Sequence, residues 1–360
     1  MPPENTIIDA AGYPIVFEQL GSLSAHLHAL GFGGGDCLVV TDANVASLYA
    51  ETVHAVLKGA GFTPRTYTIV PGETSKSSDT LQQLYDWAFE AEVTRRTPVI
   101  AVGGGVVGDL AGYLAATLLR GLPLIHVPTT LVAQVDSSIG GKTGINHSAG
   151  KNLIGSFYRP KLVLSDSSLL DSLSAEEWRS GLSELVKHAL IADADLFDSI
   201  EASWQHISAA PTDLGNIVRR SAEVKVRTVV ADEYEAGTRM LLNFGHTFGH
   251  AIERIAGYGT ISHGQAVAAG MVAATLLSRE YSDRVELSRI NSVLKTLLPD
   301  SWHHLSGEEV VEAMRFDKKR STDGLRLILI DRIGSAYVRE NVDDAEIITA
   351  FERAKAVTSA

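Results

Sequence analysis

The first 165 residues alternate short apolar β-type runs with stretches of helical periodicity, and this alternation narrows the fold more than any other feature. Runs at 14–18 (PIVFE), 37–41 (CLVVT), 66–70 (TYTIV), 98–102 (PVIAV) and 124–127 (LIHV) read as strands. Helical patterns fall between them at 43–59, at 77–92, and from the glycines after residue 102 to about residue 119. Strands that are apolar on both faces need cover on both faces, and intervening helices supply it, so the pattern predicts a parallel α/β sheet. Beyond about residue 165 long helical patterns take over, at 175–191, 214–232, 241–256 and 264–281, with later strands only at 325–331 and 335–339. The expected organisation is an α/β domain over residues 1–170 and a mainly helical domain over 171–360.

Two such domains need ample core material, and 45% hydrophobic with 21% charged residues provides it. Lys and Arg total 31 against 43 Asp and Glu, a net charge of −12, which argues against nucleic acid or an anionic membrane as the partner of the whole surface. A basic pocket inside an acidic chain is still allowed. Cys37 is the single cysteine, so no intramolecular disulfide forms, and its place in an apolar run suits buried packing. Residues 1–10 carry neither a basic nor an apolar signal segment, and the most apolar stretch, 97–135, is interrupted by Asp109, Arg120 and several glycines. The expectation is a cytoplasmic chain with no membrane span.

The strongest chemical signal is Gly103-Gly104-Gly105-Val106-Val107-Gly108-Asp109, directly after a strand and opening a helix. Such a loop lets backbone N–H groups and a helix N-terminus meet phosphate oxygens. No acidic residue follows about 20 positions on, as the usual dinucleotide fingerprint would have it. An acidic residue does close an earlier strand, Asp42, where it could hold a ribose diol or cap the next helix. A second signal is His246-Thr-Phe-Gly-His250, whose i, i+4 spacing puts two imidazoles on one helix face, with His263 at another helix start. Three imidazoles, or two with a carboxylate, suit a divalent metal; two packing histidines are the plainer alternative. Glu184, one turn before Lys187 and His188, sits among Leu182, Leu185 and Val186, too apolar a setting for a solvated ion pair, and it reads as a ligand. A dense set of cations and amides (Arg120, Lys142, Lys151, Asn152, Lys187, Lys225, Arg239, Asn243, Lys318 and Lys319) points to an anionic substrate.

Taken together these motifs resemble the 3-dehydroquinate synthase family of sugar-phosphate cyclases. The resemblance runs from about residue 42 to residue 334 and rests on PGETSK (71–76), GGGVVGDLAG (103–112), VPTTLVAQVDSSIGGKTGIN (127–146), GKN (150–152), SGLSELVK (180–187), NFGHTFGHAIE (243–253), HG (263–264) and DKK (317–319). It implies NAD on the N-terminal α/β domain and a metal and substrate in the cleft between domains. The implied reaction converts 3-deoxy-D-arabino-heptulosonate 7-phosphate to 3-dehydroquinate and phosphate through transient NAD-dependent oxidation at C5, β-elimination, re-reduction and aldol closure.

Carried over position by position, the resemblance makes Glu184, His246 and His263 the ligands of Zn²⁺ or Co²⁺ and moves His250 to a substrate or proton-relay role. NAD contacts fall on Asp42, Asn44, Glu73, Lys76, Gly103, Gly104, Gly105, Asp109, Thr129, Thr130, Lys142 and Lys151, with Ser172 where the family has threonine, and on Glu177. Substrate contacts fall on Asp136, Lys142, Asn152, Lys187, Lys225, Arg239, Asn243, His250 and Lys318, with Lys319 an alternative to Lys318. Arg120 is expected from the neighbouring subunit of a homodimer. His188 stands where the family often has an aromatic residue and is left outside the site. Two related activities compete: cyclisation to 2-epi-5-epi-valiolone or 2-deoxy-scyllo-inosose, whose substrates lack a carboxylate for Arg239, and a metal-dependent polyol dehydrogenase, whose neutral substrate has no use for so many cations.

Overall fold

The computed structural model describes residues 6–10, 12–204, 213–234, 237–257, 260–299, 301–318 and 325–359. The chain divides into two compact units, Met1–Ser172 and Leu173–Ala360.

The first unit carries strands β1 (Ile7–Asp9), β2 (Pro14–Val16), β3 (Gly35–Asp42), β4 (Phe62–Ile69), β5 (Val99–Gly103), β6 (Leu124–Pro128), β7 (Lys142–His147), β8 (Gly150–Phe157) and β9 (Leu162–Leu164). Its helices are α1 (Leu23–Ala29), α2 (Ala43–Gly59), α3 (Ser78–Glu90) and α4 (Gly105–Thr117). Seven strands form one sheet in the order β1-β2-β9-β6-β5-β3-β4, all parallel except the β1–β2 edge pair. Alternation along the strands explains the burial of both faces. Leu38, Val40, Val99, Ala101 and Leu124 pack with α3 and α4, while Cys37, Val39, Ile100, Val102 and Ile125 pack with α1 and α2.

After β3 the chain steps outward to β4 and then returns to place β5 on the other side of β3. This reversal makes the carboxyl ends of β3 and β5 a topological switch point, where open α/β sheets bind ligands. Asp42 ends one of these strands and Gly103 the other. The β7–β8 hairpin was not expected as strands. Its glycines, Gly144 and Gly155, let the two backbones approach so closely that a Cβ on either would lie 2.5 Å or less from the opposite chain's carbonyl oxygen.

The second unit holds α5 (Ala175–Ala192), α6 (Ala194–Ser203), α7 (Leu214–Ala231), α8 (His246–Ala256), α9 (His263–Arg279), α10 (Leu287–Leu294), α11 (Gly307–Lys318) and α12 (Asp344–Ser359), with the hairpin β10 (Arg326–Arg332) and β11 (Ser335–Glu340). Nearly every residue of α9 is buried, and its run of alanines and glycines is what permits this: a helix apolar all round is a core helix. A Cβ at Gly270 would lie 2.1 Å from Gly245 O, and one at Gly264 2.2 Å from Ser180 Cα. Thus α8 and α5 both touch α9 through backbone. The expected helix at 241–256 is broken. Thr238–Asn243 form a 3-10 turn, Gly245 takes the left-handed conformation at φ +79°, and α8 starts at His246. Among the described residues no helix is long and apolar enough to cross a membrane.

Candidate functional site

In the first unit the expected dinucleotide residues gather at the carboxyl ends of β3, β5 and β6. Asp42 caps α2, its Oδ1 accepting from Asn44 N at 2.9 Å and Val45 N at 3.0 Å. Both bonds use one oxygen, so capping and ligand binding need not compete for the carboxylate. Gly104 is the N-cap of α4, with no side chain bonded to the helix end. Its neighbours are held close: Thr129 N donates to Gly103 O at 3.1 Å, and a Cβ at Gly104 would lie 2.9 Å from Thr130 Cγ2. A side chain at Gly104 would therefore crowd that of Thr130. Ser172 lies after the last strand, its Oγ bonded to Tyr49 Oη at 2.8 Å. Glu177 is in the second unit, exposed in the first turn of α5.

Glu73, Lys76, Asp109 and Asn152 form one polar network. Lys76, 4% exposed, donates through Nζ to Asp109 Oδ2 at 2.6 Å and to Asn152 Oδ1, with Glu73 Oε1 at 3.8 Å. Burial raises the Asp109 carboxyl, and the Lys76 ammonium works against that rise. Asn146, which sequence reasoning left without a role, joins the network: Nδ2 donates to Glu73 Oε1 at 2.8 Å and Oδ1 accepts from Asn152 N at 2.8 Å. Lys142 and Lys151 are exposed on the β7–β8 hairpin, and Asp136 sits half-buried in a π-helical turn, Ala133–Ser137. Arg120 is exposed. The helix stops at Thr117, earlier than expected, and Leu119 and Arg120 both take positive φ, at 50° and 65°.

In the second unit a carboxylate and two imidazoles converge. One ligand atom from each of Glu184, His246 and His263 lies within 4.8 Å of the others. Glu184 Oε1 is 3.5 Å from His246 Nε2 and 3.6 Å from His263 Nε2, while Lys187 Nζ bonds Glu184 Oε2. Both Glu184 and Lys187 are buried, so this is no solvated pair. The Nδ1 atoms are engaged from behind, His263 by Glu253 Oε2 at 3.1 Å and His246 by the Phe244 carbonyl at 3.3 Å. Such outer partners fix the tautomer and turn Nε2 toward the centre. Glu253, like Asn146, was missed; it lies seven residues after His246, two turns along the same face of α8.

The charges favour a cation beside Glu184, and without a metal the His263 imidazolium is that cation. Burial pushes Glu184 up, but the Lys187 ammonium and His246 outweigh it, and the carboxyl lies well below its usual range. Burial lowers His246, aided by Lys187, so its imidazole is neutral and able to coordinate. Burial also disfavours the His263 cation, yet hydrogen bonds to Glu184 and Glu253 raise it to about 9. A second convergent set, His250 with Glu253 and His263, overlaps the first. The His250 ring, exposed, stands 5.5 Å from that of His246 and 5.9 Å from that of His263.

Arg239 is buried, with its guanidinium donating to Glu233 O and its backbone N–H to Asp232 Oδ2 at 3.0 Å. Lys225 is buried on α7 and Asn243 ends the 3-10 turn before α8. His188 bonds Ser221 Oγ at 2.8 Å inside the helical core. The side chain of Lys318, and all of Lys319, lie outside the described residues.

Comparison with known proteins gives the same family from both halves of the chain. Residues 66–180 match the family model for the 3-dehydroquinate synthase N-terminal part, and residues 181–320 match that for its C-terminal part. A 3-dehydroquinate synthase from Salinibacter ruber is 43% identical over 349 residues, covering 96% of this chain and 95% of the relative. Among solved structures, a 2-epi-5-epi-valiolone synthase from Streptomyces hygroscopicus with NAD⁺ and Zn²⁺ bound superposes with a TM-score of 0.87 at 29% identity, covering 98% of this chain and 99% of the other. A 2-deoxy-scyllo-inosose synthase complexed with carbaglucose-6-phosphate, NAD⁺ and Co²⁺ gives 0.85 at 26%, covering 97% and 99%.

Proposed function

Because the chain belongs to the 3-dehydroquinate synthase family, we propose that it is a phosphate-eliminating lyase that converts 3-deoxy-D-arabino-heptulosonate 7-phosphate to 3-dehydroquinate and phosphate, the second step of the shikimate route to aromatic amino acids. The observation that carries this reading is the convergence of buried Glu184 with His246 and His263, each imidazole held from behind through Nδ1. That donor set, one carboxylate and two neutral-capable imidazoles, fits Zn²⁺ or Co²⁺ with positions left for substrate oxygens. The glycine cradle at 103–105, at the switch point beside Asp42, fits the pyrophosphate and ribose of NAD.

When bound, the metal supplies a Lewis acid and NAD a reversible hydride acceptor. The chain's own residues do the rest. Lys142, Asn152, Asn243 and Arg120 hold the phosphate, and Lys225 and Arg239 hold the carboxylate. His250, exposed beside the two imidazole ligands, exchanges a proton with a substrate hydroxyl through its ring nitrogen. Asp136 and Lys187 orient substrate hydroxyls. Asn44, Glu73, Lys76, Asp109, Thr129, Thr130, Lys151, Ser172 and Glu177 serve the dinucleotide. Positioning one flexible substrate provides much of the rate. Arg120 comes from the partner of a cytoplasmic homodimer.

The test is phosphate release from the heptulosonate phosphate with and without added NAD⁺, with the product identified by coupling to dehydroquinate dehydratase. No net NADH should accumulate. Accumulating NADH would indicate a polyol dehydrogenase, and efficient cyclisation of sedoheptulose 7-phosphate, which lacks the carboxylate, would indicate a different cyclase.

A further inference from the structure

We propose that Asn146 is a positioning residue that couples the turn carrying Glu73 and Lys76 to the hairpin bulge carrying Lys151 and Asn152, so that dinucleotide and phosphate bind cooperatively. The inference rests on the functional reading above. Its starting point is the register of the β7–β8 hairpin. Ile145 pairs with Ile154, but the next pair is His147 with Gly150. Asn146 therefore stands alone opposite Lys151, Asn152 and Leu153. Two extra residues are pushed out of the ladder, and Asn152 takes φ +57°, the left-handed conformation that asparagine accepts more readily than most L-residues.

Contacts from Asn146 hold this bulge. Its backbone N–H donates to Lys76 O at 2.8 Å instead of to the opposite strand. Its carboxamide bridges outward in both directions, Oδ1 accepting from Asn152 N and Nδ2 donating to Glu73 Oε1, each at 2.8 Å. The amide orientation is fixed by its neighbours, since an N–H must face the oxygen and a carboxylate the NH₂. Lys76 Nζ then closes the ring by reaching Asn152 Oδ1. Every member of the ring except Asn146 belongs to one of the two ligand sets. A ligand that orders Glu73 and Lys76 thereby orders Asn152, and by linkage the reverse holds equally.

The probe is inorganic phosphate, with NAD⁺ affinity measured by calorimetry on the metal-loaded protein. In the wild type saturating phosphate should tighten NAD⁺ binding about fivefold or more, the usual floor for a coupled pair of sites. Asn146→Ala, which leaves the direct Lys76–Asn152 bond in place, should lower that ratio at least about twofold, raise KM for the heptulosonate phosphate about tenfold, and leave kcat within about twofold. Asn146→Asp keeps the acceptor for Asn152 N but sets a carboxylate against Glu73, and should also uncouple the sites. Adding Glu73→Gln to Asn146→Asp restores a donor opposite the new carboxylate and should recover the ratio. This charge exchange is the readout a merely structural role would not move, and it serves even where Asn146→Ala folds poorly. A wild-type ratio in Asn146→Ala, or no recovery in the well-folded double variant, would overturn the coupling. A wild type that binds NAD⁺ yet releases no phosphate from the heptulosonate would overturn the functional reading instead.

Discussion

Glu253 offers a measurable test of the metal centre, because its carboxylate holds His263 from behind. Its buried carboxylate accepts from His263 Nδ1 at 3.1 Å, and His263 Nε2 on the opposite side of the ring lies 3.6 Å from Glu184 Oε1. Removing the carboxylate frees the ring to rotate and lets the proton move to Nε2, which then cannot coordinate. A hydrogen bond to a charged group contributes about 1.5–3 kcal/mol, which corresponds to roughly ten- to a hundredfold in metal affinity, the same span found when outer partners of metal-binding histidines are removed. Glu253→Ala should fall at the weak end of that range. Glu253→Gln keeps an acceptor of the same reach but drops the charge, and should lose about tenfold or less. Competition for Zn²⁺ against a chromophoric chelator gives the affinity, and thermal unfolding of the metal-free variants shows whether the helical core is intact. Wild-type affinity in a folded Glu253→Ala protein would refute the claim that Glu253 orients a ligand.

Three further outcomes follow from the geometry. His126 is buried in β6, which pulls its pKa from 6.5 down to about 4; the unfolded chain therefore takes up a proton below pH 6.5 that the folded protein refuses until near pH 4, so up to about 3 kcal/mol of stability is lost as pH falls through that window, and His126→Gln should flatten the fall in urea midpoint. Gly264→Ala puts a methyl 2.2 Å from Ser180 Cα and should destabilise by about 1–3 kcal/mol or more while lowering zinc content, because it pushes the start of α9, which carries His263, away from the middle of α5, which carries Glu184; an unchanged melting temperature would show that the helices can shift cheaply. Co-refolding inactive Arg120→Ala and Glu184→Gln chains should restore roughly a quarter of wild-type phosphate release, since half the dimers are mixed and half of their sites whole; no recovery with subunit exchange confirmed by tag pull-down would take Arg120 out of a shared site.

The parts that the sequence made legible are those where one side-chain pattern has one structural solution. The apolar run that ends in Gly103, followed by a glycine-opened helix, reads as a buried strand, and histidines at i and i+4 of a helix share a face. The β7–β8 hairpin was illegible because its strands are glycine-rich and β8 is largely exposed, so neither alternation nor an apolar run marks it. The break before α8 was hidden for the opposite reason: the apolar periodicity of residues 241–256 continues through it, and only the left-handed Gly245 reveals it. Glu253 and Asn146 were missed because each acts through another residue. A carboxylate behind a histidine and an amide beneath a bulge have no spacing rule of their own; they become visible only when the partner's unused nitrogen or displaced N–H is known.

Arg120 shows how backbone strain separates a folding role from a functional one. If α4 ran on through residue 120, the arginine would serve as a favourable C-terminal cation in helical geometry. Instead Leu119, Arg120 and Gly121 take φ of 50°, 65° and 127° in succession. The reversal is held by Leu122 N bonding Ala115 O at 2.8 Å and by Tyr158 Oη donating to Leu122 O at 2.7 Å. A left-handed L-residue costs roughly 1–2 kcal/mol, a cost glycine escapes, while glycine's extra freedom in the unfolded chain returns about 0.5–1 kcal/mol of that gain. Arg120→Gly should therefore be more stable than Arg120→Ala by up to about 1.5 kcal/mol, the reverse of their order inside a helix, where glycine is worse by about 1 kcal/mol. Both variants should lose phosphate release alike, since both lack the guanidinium. Paired urea titrations decide the sign: if alanine proves the more stable, residue 120 is helical in solution and the strain argument fails, whereas a more stable yet inactive glycine variant means that the chain tolerates strain at this position for the sake of the arginine.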